Sequence, residues 1–118
     1  MRILVTGSRD WDDRNTIYRA LQEARIGVSH DEIVLVHGGA TGADQIAEVY
    51  AEAMDWGVEE HRAQWAVYSK GAGPMRNREM VDSGADICLA FIKNNSPGAT
   101  HCAEYAEARG IPVKRFYA

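Results

Sequence analysis

Cysteine is almost absent, and the two that occur, Cys88 and Cys102, cannot build a disulfide framework. No Cys/His spacing resembles a zinc site, so neither a metal nor another cofactor is expected. Only 3 prolines stand against 11 glycines, and no stretch is low in complexity, which excludes fibrous or disordered character. Long apolar runs are missing too. Met1-Arg2-Ile3-Leu4-Val5 gives way at once to Thr6-Gly7-Ser8-Arg9-Asp10, too short a run for a signal peptide or a membrane span. No membrane partner is expected, and a reducing, cytoplasmic setting is. Positive charge is in deficit, 13 Lys and Arg against 17 Asp and Glu, for a formal net charge of −4. That balance disfavours general affinity for nucleic acid, which rests on neutralised phosphates, and leaves room for a local basic site.

What is present is enough for one core: 118 residues, 46% of them hydrophobic. Short apolar runs alternate with longer segments of helical period, the pattern of an α/β fold with a parallel sheet flanked by helices. Strands are expected at Arg2 to Thr6, Ile33 to His37 and Ile87 to Ile92, each nearly continuous in apolar residues as strands covered on both faces are. Weaker ones are expected near Val58 to Arg62 and at Pro112 to Tyr117, giving about five mostly parallel strands. About four helices fall between them. Asp12 or Asp13 caps the first, whose inner face carries Ile17, Ala20, Leu21 and Ala24, with Gly27 just past its end. The second starts around Thr41 to Ala43 and turns Ile46, Val49, Tyr50 and Ala53 to one side. Pro74 suits the first turn of the third, which groups Asn77, Met80 and Val81 and stops at Gly84. The fourth runs from about Ala99 to Arg109. Ala63 to Gly73, with Trp65 and Tyr68, has no clear period and reads as one long irregular segment.

Ligands of open parallel sheets bind outside the carboxyl ends of the strands, so the chemistry is expected in four loops. The richest is His37-Gly38-Gly39-Ala40-Thr41-Gly42-Ala43-Asp44. Its three glycines allow a sharp turn and amides that face a ligand, and it ends at a helix N-terminus, where phosphate is the natural occupant. The competing reading is a tight turn without a ligand. Thr41 adds a hydroxyl, and Asp44 either caps the helix or accepts from a sugar hydroxyl. No Lys-Ser or Lys-Thr follows the glycines, so this is not a P-loop, and it is not the G-x-G-x-x-G fingerprint. A dinucleotide reading keeps only Glu59 and Glu60 near the next strand's end. After the first strand, Gly7 and Ser8 precede Arg9, which either reaches a phosphate or pairs with Asp10, Asp12 or Asp13. Trp11 either stacks on a base or closes the end of the core. Arg76 and Asn77 open the third helix as a phosphate or ribose clamp, Asn77 alternatively being satisfied by loop backbone; Arg78 points outward. Gly98, Ala99 and Thr100 form a second turn into a helix, and two such sites suit a ligand with separated polar groups. His101 beside Cys102 suggests a nucleophile pair, but the spacing of Cys102 and Ala106 marks Cys102 as core. His37 is an acid/base group or a packed ring; His30 and His61 read as surface.

Taken together, these motifs resemble the SLOG superfamily, the Rossmann-like group containing the DprA and LOG proteins, and within it the small YspA or cpYpsA-related branch of actinobacteria and their phages. Val5-Thr6-Gly7-Ser8-Arg9-Asp10-Trp11, the glycine segment His37 to Asp44, Ala72-Gly73-Pro74-Met75-Arg76-Asn77 and Gly98 to Val113 carry the likeness, in order and over nearly the full length. It implies a single Rossmann-like domain, a nucleotide-type ligand and a homodimer. LOG enzymes split the N-glycosidic bond of nucleoside 5′-monophosphates with an Arg-Lys pair and a glutamate in a P-G-G-x-G-T-x-x-E motif. Here Arg76 matches the arginine, Asn77 replaces the lysine, and Cys102 or Ala103 falls at the glutamate. Asp44, Arg76 and His101 are the remaining catalytic candidates. A binding or sensing protein for a nucleotide or ADP-ribose-like ligand is therefore preferred to a phosphoribohydrolase. A DprA-like role on single-stranded DNA ranks third, because no basic, aromatic-studded groove is evident.

Overall fold

The computed structural model describes all 118 residues. Five strands, β1 (Arg2–Gly7), β2 (Val34–His37), β3 (Gly57–Glu60), β4 (Ile87–Ile92) and β5 (Val113–Tyr117), form one sheet in the order β3-β2-β1-β4-β5, every pair parallel. Between them lie α1 (Arg14–Ala24), α2 (Ala43–Ala53), the single turn α3 (Trp65–Tyr68), α4 (Ala72–Asp82) and α5 (Pro97–Ala108). This is the expected α/β architecture. The segment expected to be irregular from Ala63 is partly ordered, since α3 and a 3₁₀ turn at Ser69–Gly71 lead straight into α4.

Alternation along β1 assigns the two helical layers. Ile3 and Val5 face a core shared with Ile17 and Leu21 of α1, Ala47 of α2, and Leu35, Leu89 and Phe91 of the sheet. Leu4 points the other way, to Val36, Cys88, Met80 of α4 and Cys102 and Ala106 of α5. Cys102 is thus core, as its spacing indicated, and burial pushes its thiol up to about 11, far from a reactive thiolate. Helices α1 and α2 cover one face, and α4 and α5 the other.

The α1 cap is Asp13, not Asp12. Its Oδ1 accepts from the Thr16 amide at 3.2 Å and its Oδ2 from the Thr16 hydroxyl. Helix α2 buries a different stripe from the one expected. Ala43, Ala47, Tyr50 and Ala51 are inside, whereas Val49 is 59% exposed and Ala53 is exposed. The reason is close approach: a side chain on Gly7 would overlap the Ala43 methyl, so the alanine stripe lets α2 lie directly on β1. Helix α5 begins at Pro97, two residues earlier than expected, because proline's fixed φ suits a first turn.

Chain direction positions the site. From β1 the chain runs outward through β2 to β3, then returns to the opposite side of β1 as β4. The loops after β1 and β4 therefore leave adjacent strands toward opposite faces, opening a crevice at their carboxyl ends. Ser8 spans its base: its hydroxyl accepts from the Lys93 amide at 2.7 Å and donates to the Lys93 carbonyl at 3.2 Å.

Candidate functional site

The glycine turn is closed by its own side chains. Asp44 Oδ2 accepts from the Gly38 amide at 3.0 Å and the Ala40 amide at 3.3 Å, while His37 Nδ1 accepts from the Gly39 amide at 2.9 Å. Three successive amides expected to face a phosphate are thus engaged within the chain. Those of Thr41 and Gly42 have no protein partner. On the outer side of the turn, Arg76 donates through Nη1 to the Gly38 carbonyl and through Nε to Asn77 Oδ1 at 2.8 Å. Asn77 in turn donates to the Gly98 carbonyl at 3.4 Å, tying α4 to the start of α5.

Two cavities adjoin here. A cleft of about 730 Å³ opens between the loops after β1 and β4, with Thr6, Asp44 and Asn77 deep in its wall and Lys93, Gly98, Ala99 and His101 along the β4 side. A smaller one of about 270 Å³ lies against Gly38, Gly39 and Thr41 and is lined by three guanidinium groups, from Arg9, Arg62 and Arg76. Arg9, Ala40, Trp65 and Arg76 line both, so they form the ridge where the cavities meet. Arg9 sits over the Trp65 ring, 5.7 Å from its centroid.

The structure brings together Gly7, Arg9, Gly38, Gly39, Thr41, Asp44, Arg76, Asn77, Gly98, Ala99 and His101, each of which lines one cavity or the other. The remaining expected residues lie outside. Trp11 offers no face to a base: it is 3% exposed, its indole N–H donates to the Asp13 carbonyl at 2.9 Å, and its ring meets Phe91 edge-on. Of its two readings, closing the core is the correct one. His37 is 1% exposed, and because Nδ1 accepts from Gly39, its ring hydrogen sits on Nε2 and points to Glu48 Oε1 at 3.1 Å. It braces the turn and faces no ligand. Ser8 is spent on Lys93 as described above, Ala43 is packed under Gly7, and the Thr100 hydroxyl donates back to the Ser96 carbonyl at 2.8 Å. Gly42 lines neither cavity and serves the turn.

Glu59 and Glu60 are also committed elsewhere. Arg2 donates to Glu59 at 2.7 and 3.1 Å and His61 bonds it at 2.7 Å, holding its carboxyl down to about 2, while Glu60 pairs with Arg62 at 3.2 Å. His61 is therefore tied to Glu59, and His30 accepts from the Trp56 indole at 2.8 Å, so neither is idle surface. Neither residue at the position of the LOG glutamate carries a carboxyl: Cys102 and Ala103 are fully buried, and the neighbouring Glu104 is exposed.

Asp44 carries the unusual chemistry. It is 4% exposed, and Oδ1 has no hydrogen-bond partner in the protein. Burial raises its carboxyl from 3.8 to about 6, against the pull of the Ala40 and Gly38 amides and Arg76. A carboxyl that holds its proton more tightly when folded favours the folded state below both values, and that advantage is lost as pH rises from about 4 to about 6. Wild type should thus lose on the order of 2–3 kcal/mol across that window. Glu59 acts mostly below that window and with the opposite sign, adding stability as pH rises from about 2 to 4.5. Urea unfolding of wild type and Asp44→Asn at several pH values checks this. Parallel pH dependence in the two proteins would show that Asp44 does not titrate there.

Sequence reasoning passed over Arg62, Trp65 and Lys93. Trp65 and Lys93 lie in loops already marked as ligand-facing by their place after strands, and the signal available was a cation or an aromatic ring in such a loop. Arg62 was assigned to the third strand, which ends at Glu60.

Residues 1–68 match the family described as YspA, cpYpsA-related SLOG family, a stretch that includes Arg9, the glycine turn and Trp65. The chain is also 47% identical over 120 residues to the Gene 61 protein of Mycobacterium phage D29, covering 98% of this chain and 95% of that protein. No solved structure matches. No helix is long and apolar enough to cross a membrane. The family match contains Arg9 and Trp65 of the ridge and the turn that Asp44 closes, and the phage protein extends the likeness across α4, with Arg76, and α5, so this chain belongs to the YspA, cpYpsA-related SLOG family.

Proposed function

We propose that the chain is a binding or sensing protein for a nucleotide-type ligand, with the phosphate in the smaller cavity and the sugar and base in the larger cleft. Membership of the SLOG family suggests a nucleotide-related ligand in general. The observation that carries the finer reading is the continuity of the two cavities across Arg9, Ala40, Trp65 and Arg76. One side offers the unpartnered Thr41 amide and the guanidinium groups of Arg9 and Arg76, with Arg62 paired to Glu60, and suits an anion; the other, also lined by Arg9, Arg76 and Lys93, is larger and has the buried Asp44 carboxyl in its wall. Trp65, 49% exposed, supplies an aromatic face at the junction.

Calorimetry with nucleoside monophosphates, diphosphates and ADP-ribose tests this. Arg9 makes no ion pair within the protein, so Arg9→Ala should leave folding intact and weaken binding by roughly 10- to 100-fold, the worth of one or two charge-assisted hydrogen bonds. Arg76→Ala should cost at least as much, since it also releases the Gly38 carbonyl. Failure of every phosphorylated compound to bind would sink the reading.

Hydrolysis of an N-glycosidic bond is the second reading, favoured by Asp44: a buried carboxyl lifted to about 6 is poised for acid/base work near neutral pH. Chromatography for free base after incubation with nucleoside monophosphates decides it, and release by wild type but not by Asp44→Ala would support an enzyme.

A further inference from the structure

We propose that Asp44 is the sugar-recognising group of this site: Oδ1 accepts a hydrogen bond from a ribose hydroxyl, and the cleft thereby selects ribonucleotides over their dideoxy counterparts. The proposal rests on the nucleotide reading above. A buried carboxylate oxygen without a donor is costly, and nearly all such groups in folded proteins find a partner. Asp44 has used one oxygen on the Gly38 and Ala40 amides and has left the other with none. Asp44 lines the larger cleft with Oδ1 itself covered, so the missing donor comes from an occupant that presses into the cleft wall at this residue.

The chemistry of that donor is restricted. An anion has no hydrogen to give a carboxylate and is repelled at contact, so the phosphate is placed away from Oδ1, toward the arginines of the ridge. The partner must carry a hydrogen, and the donors a nucleotide offers are neutral. Position then separates hydroxyl from base. Ala40 lines both cavities, and its amide is bonded to the Asp44 carboxylate at 3.3 Å, so the carboxylate lies directly behind the ridge. The part of a 5′-nucleotide that follows the phosphate is the sugar, and its 2′- and 3′-hydroxyls are neutral donors. The base lies further along the cleft, toward the α5 side.

Calorimetric titration of the full chain with the four ribonucleoside 5′-monophosphates and their 2′,3′-dideoxy counterparts tests the contact. A site built to bond a hydroxyl rejects the analogue that lacks it, so a ribonucleotide should bind wild type about tenfold or more tightly than its dideoxy form. In Asp44→Asn that ratio should shrink to within about threefold, because the amide keeps its one oxygen on the Gly38 and Ala40 N–H groups and turns an NH2 group toward the cleft in place of the charged acceptor. Equal affinity of the two forms for wild type overturns the hydroxyl contact and leaves the nucleotide reading standing. An unchanged ratio in Asp44→Asn overturns the assignment to Asp44. Binding by none of the eight compounds overturns the hydroxyl contact as proposed for 5′-monophosphates, and the nucleotide reading is then decided by the diphosphates and ADP-ribose titrated above. The wild-type comparison needs no substitution, so it can overturn the proposal even if Asp44→Asn does not fold.

Discussion

Gly42→Ala is expected to destabilise the domain by roughly 4 kcal/mol, with a fall in melting temperature on the order of 10 °C or more. Gly42 holds φ 76° and ψ −123°, a region that side chains avoid. A methyl group there would also overlap the Ser8 and Arg9 carbonyl oxygens, which are backbone atoms and cannot swing aside. Relief therefore requires the turn, the start of α2 or the loop after β1 to move. Gly39 provides the internal comparison. It too has a positive φ, of 71°, but its added methyl would meet the end of the Glu60 side chain, which can move. Gly39→Ala should cost clearly less than Gly42→Ala in the same thermal melt. Equal losses would mean that backbone conformation alone, and not the carbonyl overlap, sets the cost.

Phe91→Ala should cost about 3–5 kcal/mol, read as a lowered urea midpoint with little change in slope. Phe91 is fully buried near the end of β4. Its ring stacks on Phe116 at 5.0 Å and receives Trp11 edge-on at 5.4 Å, so truncation opens a hole between two rings that cannot both collapse into it. The damage should extend to the site. The Phe91 carbonyl accepts from the Ser8 amide at 2.9 Å, directly beneath the loop that carries Arg9, so ligand affinity should fall together with stability. Binding that stays at wild-type strength would show that the loop is held by the Ser8–Lys93 bonds alone.

How much of this was legible in the sequence depends on whether a residue's role is local. β1, β2 and β4 are apolar but for their ends, Arg2, Thr6 and His37, because helices cover both faces, and burial on two sides leaves an unmistakable run. β3 is an edge strand with a charged second half, Gly57-Val58-Glu59-Glu60, so its placement near Val58 to Arg62 ran past its true end. The α2 stripe was misjudged at Val49 and Ala53 because the sequence cannot show how closely Gly7 lets Ala43 approach. In the site, the glycine turn and Asp44 were both visible as residues. Their relation was not: an acid placed to cap a helix and an acid placed to fill the turn ahead of it have the same spacing. The same limit applies to aromatic residues. Trp11 and Trp65 both sit in loops after strands, and only the packing of Phe91 decides that the first is buried and the second exposed.

That division among the tryptophans has an optical consequence. Of the three, Trp11 and Trp56 are 3% and 6% exposed and each donates its indole hydrogen to a protein acceptor, so their emission should be blue-shifted and indifferent to what enters the cleft. Trp65 alone stands at the junction of the cavities, under the Arg9 guanidinium. The protein thus carries its own spectroscopic reporter at the entrance to the site, and occupancy can be followed by red-edge fluorescence on the unlabelled chain.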